Sequence, residues 1–143
     1  MKYLLDTNVF REIGKTAPHE HVKAWLAQVD DSDLALSTIT VREVMKGVEK
    51  LRRTKPDVAA VIETRVQASF DALADRILPV DREIAALWGR LLGASEKHTD
   101  DTGLAATARI HRLILVTRNS ANVAGRGITT LDPYSASPRI RPA

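Results

Sequence analysis

Three acidic side chains stand where predicted strands and helices meet. Asp6 directly follows the apolar segment 3–5, Glu43 lies early in a helix-like segment, and Asp101 opens a helix that leads into the most apolar segment of the chain. Open α/β folds bind ligands in the crevice outside the carboxyl ends of parallel strands. Clustered carboxylates there repel one another, and oxygen ligands suit Mg²⁺ or Mn²⁺. The pattern predicts one corner of a metal site at Asp6.

Asp6 also has a simpler interpretation as a helix N-cap. Asp, Thr and Asn all cap helices well, and Asp6-Thr7-Asn8 contains all three. The two roles are compatible, because an aspartate can cap a helix with one oxygen and bind a cation with the other. Both roles therefore remain open for Asp6 on the sequence alone.

Composition limits the classes of protein and site. The 143 residues suit one domain; 44% are hydrophobic and 27% charged, as in ordinary globular proteins. No cysteine is present, which excludes disulfides, thiolate zinc sites and a cysteine nucleophile. No signal peptide or membrane-spanning run is visible, so we expect a cytoplasmic protein without a membrane partner. The formal net charge of +3 is only a mild hint of a polyanionic partner.

Apolar strand-like segments alternate with amphipathic helix-like segments along the chain. The strands are predicted at 2–6, 34–37, 77–80, 113–117 and 128–131. Alternation of this kind predicts a three-layer α/β/α fold with a mostly parallel central sheet of about four to five short strands. We expect a single domain over residues 1–133. Pro133, Pro138 and Pro142 indicate an irregular C-terminal tail over residues 134–143.

Four segments together resemble one known family. They are Leu4-Leu5-Asp6-Thr7-Asn8, Ser37-Thr38-Ile39-Thr40-Val41-Arg42-Glu43, Asp101-Thr102-Gly103-Leu104-Ala105-Ala106-Thr107-Ala108 and Leu115-Val116-Thr117-Arg118-Asn119. In this order they resemble the PIN-domain family, specifically the VapC-type ribonuclease toxins of bacterial toxin-antitoxin pairs. The resemblance covers nearly the whole chain. Each motif alone is weak, whereas the ordered set is fairly specific.

The resemblance implies an activity, a cofactor and partners. The activity is Mg²⁺- or Mn²⁺-dependent endonucleolytic hydrolysis of RNA, and the partners are an antitoxin protein and a second copy in a homodimer. The implied metal-binding and catalytic acids are Asp6, Glu43 and Asp101. The implied supporting residues are Thr7, Asn8 and Asn119.

The chain departs from the family pattern at one acidic position. The family usually has a fourth acid three residues after the asparagine that corresponds to Asn119, and this chain has Asn122 there. An amide can orient water or phosphate but adds no negative charge, so a second metal ion should bind less tightly. Asp100 either compensates or is a solvated helix cap, and the sequence leaves both possibilities open.

Basic side chains offer candidates for holding RNA. Arg118 follows a predicted strand end beside the expected cleft, which makes it the best single candidate for a phosphate contact. A further cluster crowds the end of one predicted helix. It is either a phosphate-binding track or a solvated face, and charge runs more often serve solubility. Its members are Arg42, Lys46, Lys50, Arg52, Arg53 and Lys55.

Two other classes of function compete with the nuclease. A PIN-like module weakened by the missing acid would act by binding an antitoxin or RNA without cleavage. A phosphatase or receiver-like domain using Asp6 fits less well, because Asp6 lacks the second aspartate of an Asp-x-Asp motif. Metal binding separates the first alternative from an active nuclease.

Overall fold

Six short strands form a single central sheet in the computed structural model, which describes residues 1–143. The strand order is β3-β2-β1-β4-β5-β6; the first five strands run parallel, and β6 pairs antiparallel with β5. Apolar, buried β1 lies in the middle of the sheet. The strands are β1 (Tyr3–Leu5), β2 (Leu34–Ser37), β3 (Ile77–Leu78), β4 (Ile114–Val116), β5 (Thr129–Leu131) and β6 (Ile140–Pro142).

Six α-helices connect and cover the strands. Asp81 caps α5 by accepting a hydrogen bond from the backbone N–H of Ile84, and Pro56 is the first residue of α4. None of the helices is both long enough and apolar enough to cross a membrane. The helices are α1 (Thr7–Ile13), α2 (Glu20–Gln28), α3 (Thr38–Arg52), α4 (Pro56–Ala72), α5 (Arg82–Leu92) and α6 (Thr99–His111).

The sheet separates two hydrophobic cores. On one face, the strands pack against helices α1 to α4, where the rings of Phe10 and Phe70 stack with centroids 5.2 Å apart. On the other face, Leu104, Ala105 and Ala108 of α6 pack against β1, β2 and β4. Residues on alternate positions of a strand point to opposite faces, so Leu4 joins one core and Leu5 the other. The predicted three-layer α/β/α fold is confirmed.

The sheet is larger than predicted, because the expected irregular tail over residues 134–143 ends in a strand. Thr130 of β5 lies opposite Arg141 of β6, and Thr129 lies opposite Pro142. Proline is tolerated on an edge strand because one side of that strand needs no partner. The backbone N–H of Ala143, one residue later, donates to the carbonyl of Ile128 at 3.1 Å. The strand count is therefore six, and the tail extends the sheet.

Candidate metal and nucleic-acid site

The candidate site lies at the carboxyl edge of the sheet, where β1 has β2 on one side and β4 on the other. The chain leaves β1 toward β2 and later returns to the opposite side of β1, so the connections diverge and open a crevice beside its end. Asp6 follows β1, the helix that carries Glu43 follows β2, and Thr117 follows β4. The topology brings these three sequence-distant segments to one place.

Asp6 is buried in this crevice, with 5% of its surface exposed. One carboxylate oxygen, Oδ1, accepts a hydrogen bond from the backbone N–H of Val9 at 2.9 Å and so caps α1. The other, Oδ2, accepts from the hydroxyl of Thr117 at 2.6 Å. Burial raises the pKa of Asp6 above its usual value, and the negative charge of Asp101 adds to the increase. The capping role is therefore real, and lone pairs on both oxygens remain for further ligands.

Glu43 is half-buried on α3 and faces the same crevice. Its pKa is raised above the usual value, first by burial and then by the negative charges of Asp100 and Asp101. A hydrogen bond with Thr7 opposes that increase. The hydroxyl of Thr7 also lies 3.4 Å from the hydroxyl of Thr40, one helical turn before Glu43. Thr7 thus links the Asp6 segment to the Glu43 helix.

Asp101 enters the crevice from the opposite face of the sheet, in the first turn of α6. Its Oδ2 accepts a hydrogen bond from the side-chain amide of Asn122 at 3.1 Å. Asp101 lies near enough to Asp6 and Glu43 for its charge to raise the pKa of each. Where the family usually carries an acid, this chain has an amide donor that stabilises Asp101.

The three predicted acids share one electrostatic environment, but they do not form a ready ligand cage. No three acidic or histidine side chains lie close enough together to hold one metal ion in this arrangement. The three carboxylates are still chemically suited to a hard divalent cation, because such cations prefer oxygen ligands. In addition, no basic side chain forms an ion pair with Asp6 or Glu43.

Asp100 has a partner of its own on α3. Its carboxylate forms an ion pair and hydrogen bond with the guanidinium of Arg42. Asp100 still raises the pKa of Glu43, so it belongs to the acidic surroundings of the crevice. Because Asp100 is paired with Arg42, it is neither a free fourth acid nor an unpaired helix cap.

Two of the predicted supporting side chains do not contact the acids. Asn8 is exposed, and its side-chain oxygen lies 3.5 Å from Arg11. Asn119 is also exposed, and it contributes its backbone N–H, which donates to the Thr117 hydroxyl at 3.0 Å. Thr117 was missed as a site residue, although a threonine at the carboxyl end of the predicted strand 113–117 was a usable signal. It is the residue that fixes Asp6.

Arg118 lies at the carboxyl edge, as predicted, but its contacts were not foreseen. Its side chain is exposed, and its guanidinium carbon lies 3.6 Å from the centroid of the Tyr134 ring. Tyr134 belongs to the segment expected to be an irregular tail. It comes three residues after the end of β5, and so at the same edge of the sheet as Asp6 and Arg118.

An apolar groove with a basic rim opens between α1, α3 and α4. Its volume is about 790 Å³, and its apolar lining includes Phe10, Val44 and Val48. No acidic side chain lines it. Two residues of the predicted basic cluster, Lys50 and Arg53, are on its rim, whereas Arg42 and Arg52 are paired with acids elsewhere. The basic lining residues are Arg11, Lys15, Lys50, Arg53 and Arg65.

Known proteins match this chain along most of its length. The model of the PIN domain matches residues 3–122. Toxin FitB of Neisseria gonorrhoeae is 34% identical over 137 residues, which cover 92% of this chain and 97% of FitB. VapC ribonuclease Y4jK of Sinorhizobium fredii is 28% identical over 92% of this chain and 96% of the relative.

A solved structure agrees with these sequence matches. A toxin-antitoxin complex from Klebsiella pneumoniae contains a chain that superposes with a TM-score of 0.67 at 27% identity, over 94% of this chain and 99% of that one. The family model accounts for the segments that carry Asp6, Glu43, Asp101 and Asn122. Together with the observed fold, these matches establish that the chain belongs to the PIN-domain family.

Proposed function

We propose that this protein is a metal-dependent endoribonuclease and the toxin of a toxin-antitoxin pair. The observation that carries the proposal is the crevice at the end of β1, where Asp6 and Glu43 are held with raised pKa values beside Asp101. Carboxylates that are buried close together favour binding of a cation, and neither Asp6 nor Glu43 forms an ion pair within the chain. The relative named VapC ribonuclease supports RNA as the substrate.

Mg²⁺ or Mn²⁺ is the proposed cofactor, with Asp6, Glu43 and Asp101 as its ligands. When bound, such an ion supplies an activated water and stabilises negative charge on a phosphate. The surrounding residues keep the ligands in place. Thr117 orients Asp6, Thr7 bonds to Glu43, and Asn122 donates to Asp101.

Cleavage of RNA by the purified protein tests this proposal. With Mg²⁺ or Mn²⁺ we expect cleavage that EDTA abolishes, and we expect Asp6→Ala to lose activity by about 100-fold or more. Asp71→Ala is the matched control, because Asp71 is an exposed acid on α4. An Asp6→Ala variant that cleaves as fast as the unmodified protein would rule out the proposed site.

An alternative is a PIN-fold module that binds an antitoxin or RNA without cleaving it. The neutral residues Asn119 and Asn122 motivate this alternative, because neither adds a charged ligand. The bond from Asn122 to Asp101 favours the active enzyme, since it orients an acid that an inactive module would not need to hold. A module of this kind would bind RNA but would bind no Mn²⁺.

We further propose that the antitoxin occupies the groove between α1, α3 and α4. The toxin-antitoxin complex among the similar structures supports a protein partner. An apolar floor with five basic and no acidic lining residues suits a segment with apolar anchors and acidic flanks. The groove adjoins the crevice, because Arg11 lines the groove and its charge also acts on Glu43. A bound segment would therefore lie beside the proposed catalytic acids.

Charge reversal on the groove rim tests this partner site. The antitoxin candidate is the product of a short reading frame next to this gene, co-expressed with the protein. Lys50→Glu combined with Arg53→Glu should weaken the complex by at least about 10-fold, because like charges would face the acidic segment. Lys23→Glu, at an exposed position of α2 outside the groove, is the control. Equal affinity for both variants would place the partner elsewhere.

We also propose a homodimer. Helix α5 leaves the apolar side chains of Leu87, Leu91 and Leu92 only half-buried in a single chain. A second copy that packs on this helix would remove the rest of their apolar surface from water. Sedimentation at micromolar concentration should give twice the chain mass, and Leu91→Glu should give a monomer; a monomeric unmodified protein would contradict the proposal.

A further inference from the structure

Arg118 and Tyr134 form a cation–π pair at the mouth of the crevice. The guanidinium carbon of Arg118 lies 3.6 Å from the Tyr134 ring centroid, so the guanidinium lies over one face of the ring. Arg118 forms no ion pair, and its side chain is exposed. Cation–π contact with tyrosine therefore holds the arginine without neutralising it. Its outer side is available to a ligand.

Tyr134 is itself fixed by contacts from two segments. The ring of His19 meets it edge-on with centroids 4.9 Å apart, and Nδ1 of His21 lies 2.8 Å from the Tyr134 carbonyl oxygen. The backbone N–H of Tyr134 donates to Oδ1 of Asp132 at 2.9 Å. A surface arginine usually samples many rotamers, whereas this one rests on an aromatic ring that is anchored on several sides.

The pair lies next to the proposed catalytic acids. Thr117 binds Asp6 through its hydroxyl, and Arg118 is the next residue. Burial raises the pKa of Tyr134, and the charges of Glu12 and Asp6 contribute to that increase. In the sheet, β4 and β5, which lead to Arg118 and Tyr134, lie on one side of β1. Strand β2, which leads to Glu43, lies on the other side. The pair and Glu43 therefore flank Asp6 on opposite sides.

We propose that Arg118, positioned by Tyr134, is a stacking platform for an unpaired nucleobase of the RNA next to the scissile phosphate. A guanidinium plane backed by an aromatic ring offers a flat, positively charged surface, and unpaired RNA bases stack on such planes. Bases inside a duplex are already stacked and cannot reach it. The inference rests on the proposed ribonuclease function.

A phosphate contact by Arg118 is the competing role, and the two differ in what they require. A phosphate contact needs no base, so it would persist on an oligomer whose bases have been removed. A stacked base needs the planar guanidinium and a ring behind it. Losing a phosphate contact also lowers the slope of affinity against salt by about one, whereas losing a stack leaves that slope unchanged.

Binding of RNA by catalytically silent variants tests the platform. The probe is a fluorescent single-stranded RNA of mixed sequence, with an otherwise identical abasic oligomer for comparison, and every variant carries Asp6→Ala. Arg118→Lys and Tyr134→Leu should each weaken binding of the normal oligomer by about 5- to 30-fold. Tyr134→Phe should bind within about 2-fold, because the ring remains. The abasic oligomer should show little difference among these variants.

Controls separate the inference from folding and from the ribonuclease function. Arg118→Lys changes an exposed side chain, so it gives an answer even if Tyr134→Leu does not fold. Lys2→Ala removes a positive charge at the amino edge of the sheet and should leave binding unchanged. Equal binding by Arg118→Lys, an equal loss on the abasic oligomer, or no RNA binding at all would overturn the platform. RNA binding without metal-dependent cleavage by the unmodified protein would instead overturn the ribonuclease function.

Discussion

Asp6 carries a structural role and a proposed chemical role in the same carboxylate. It caps α1 and accepts the Thr117 hydroxyl, yet burial makes its charged form less favourable than in water. Its hydrogen bonds lower the pKa, but by less than burial raises it. A buried carboxylate with a raised pKa reduces the stability of the fold at neutral pH unless a bound cation neutralises its charge.

Asp6→Asn should therefore stabilise the metal-free fold at neutral pH. A carboxyl whose folded-state pKa is raised contributes stability below its unfolded value of 3.8, and that contribution is lost as pH rises through the folded-state pKa. The amide does not ionise, so it avoids this loss. Thermal melts in EDTA from pH 4 to 8 should show a higher melting temperature for the variant at pH 7 and a shrinking difference as pH falls toward 3.8.

A lower melting temperature for Asp6→Asn at pH 7 would mean that the bonds to Val9 and Thr117 need a full negative charge. It would also contradict the raised pKa of Asp6. Asp71→Asn, on an exposed position, should leave the melting temperature unchanged across the whole pH range.

Asn122→Asp should make the fold depend more on metal. The substitution replaces the amide that donates to Asp101 with a like charge, which disfavours the metal-free protein. We expect a lower melting temperature in EDTA and a larger stabilisation by Mn²⁺ than in the unmodified protein. Asn119→Asp is the matched control because its side chain is exposed. Identical responses of the two variants to Mn²⁺ would remove Asn122 from the site.

The clustering of the acids was easier to predict than the residues that hold them. Acids at strand–helix junctions are conspicuous, and the structure brings Asp6, Glu43 and Asp101 into one electrostatic environment. Their binding of a metal ion stays a prediction. Thr117 was missed because its role depends on β4 lying beside β1, and pairing between distant strands has no local signature.

Among the elements, α6 determines how near Asp101 comes to the end of β1. The helix packs closely because Gly103 has no side chain: a Cβ there would lie 2.6 Å from Cδ1 of Ile39 on α3 and 2.7 Å from the Trp88 ring on α5. Gly103 is therefore a point of close contact between α3, α5 and α6.

Gly103→Ala should destabilise the protein and weaken the site together. Overpacking of this kind costs about 1–3 kcal/mol and moves α6, so metal affinity and cleavage should both fall. Gly89→Ala on α5 is the control, since a Cβ there meets nothing within 4 Å and alanine favours a helix by about 1 kcal/mol. Urea denaturation of both variants measures the effect; a neutral Gly103→Ala would show that α6 can shift freely.

Elements with strong local patterns were predicted well, whereas the C-terminal segment was not. The apolar run before Thr117 became β4, and Ser37, a residue type that favours helix starts, caps α3. The three prolines after residue 132 suggested irregular structure, yet β6 pairs with β5 at the edge of the sheet. That pairing depends on partners outside the segment, which proline content does not reveal.

At the scale of the molecule, charge is divided between two neighbouring regions. The crevice collects Asp6, Glu43, Asp100 and Asp101, while the charged side chains that line the adjoining groove are all basic. The formal net charge of +3 gives only the sum of the charges and does not show that they are separated in this way. The alternation of strands and helices sufficed to predict three layers, but the strand order that creates the crevice follows from long-range packing.

The central claim is that the acids at the end of β1 bind a catalytic divalent cation. Isothermal titration of the metal-free protein with Mn²⁺, alongside Asp6→Ala and Asp71→Ala, tests it most directly. We predict saturable binding by the unmodified protein and by Asp71→Ala, and a loss of at least about 10-fold in affinity for Asp6→Ala. Absence of Mn²⁺ binding by the unmodified protein, or equal affinity in all three, would contradict the claim.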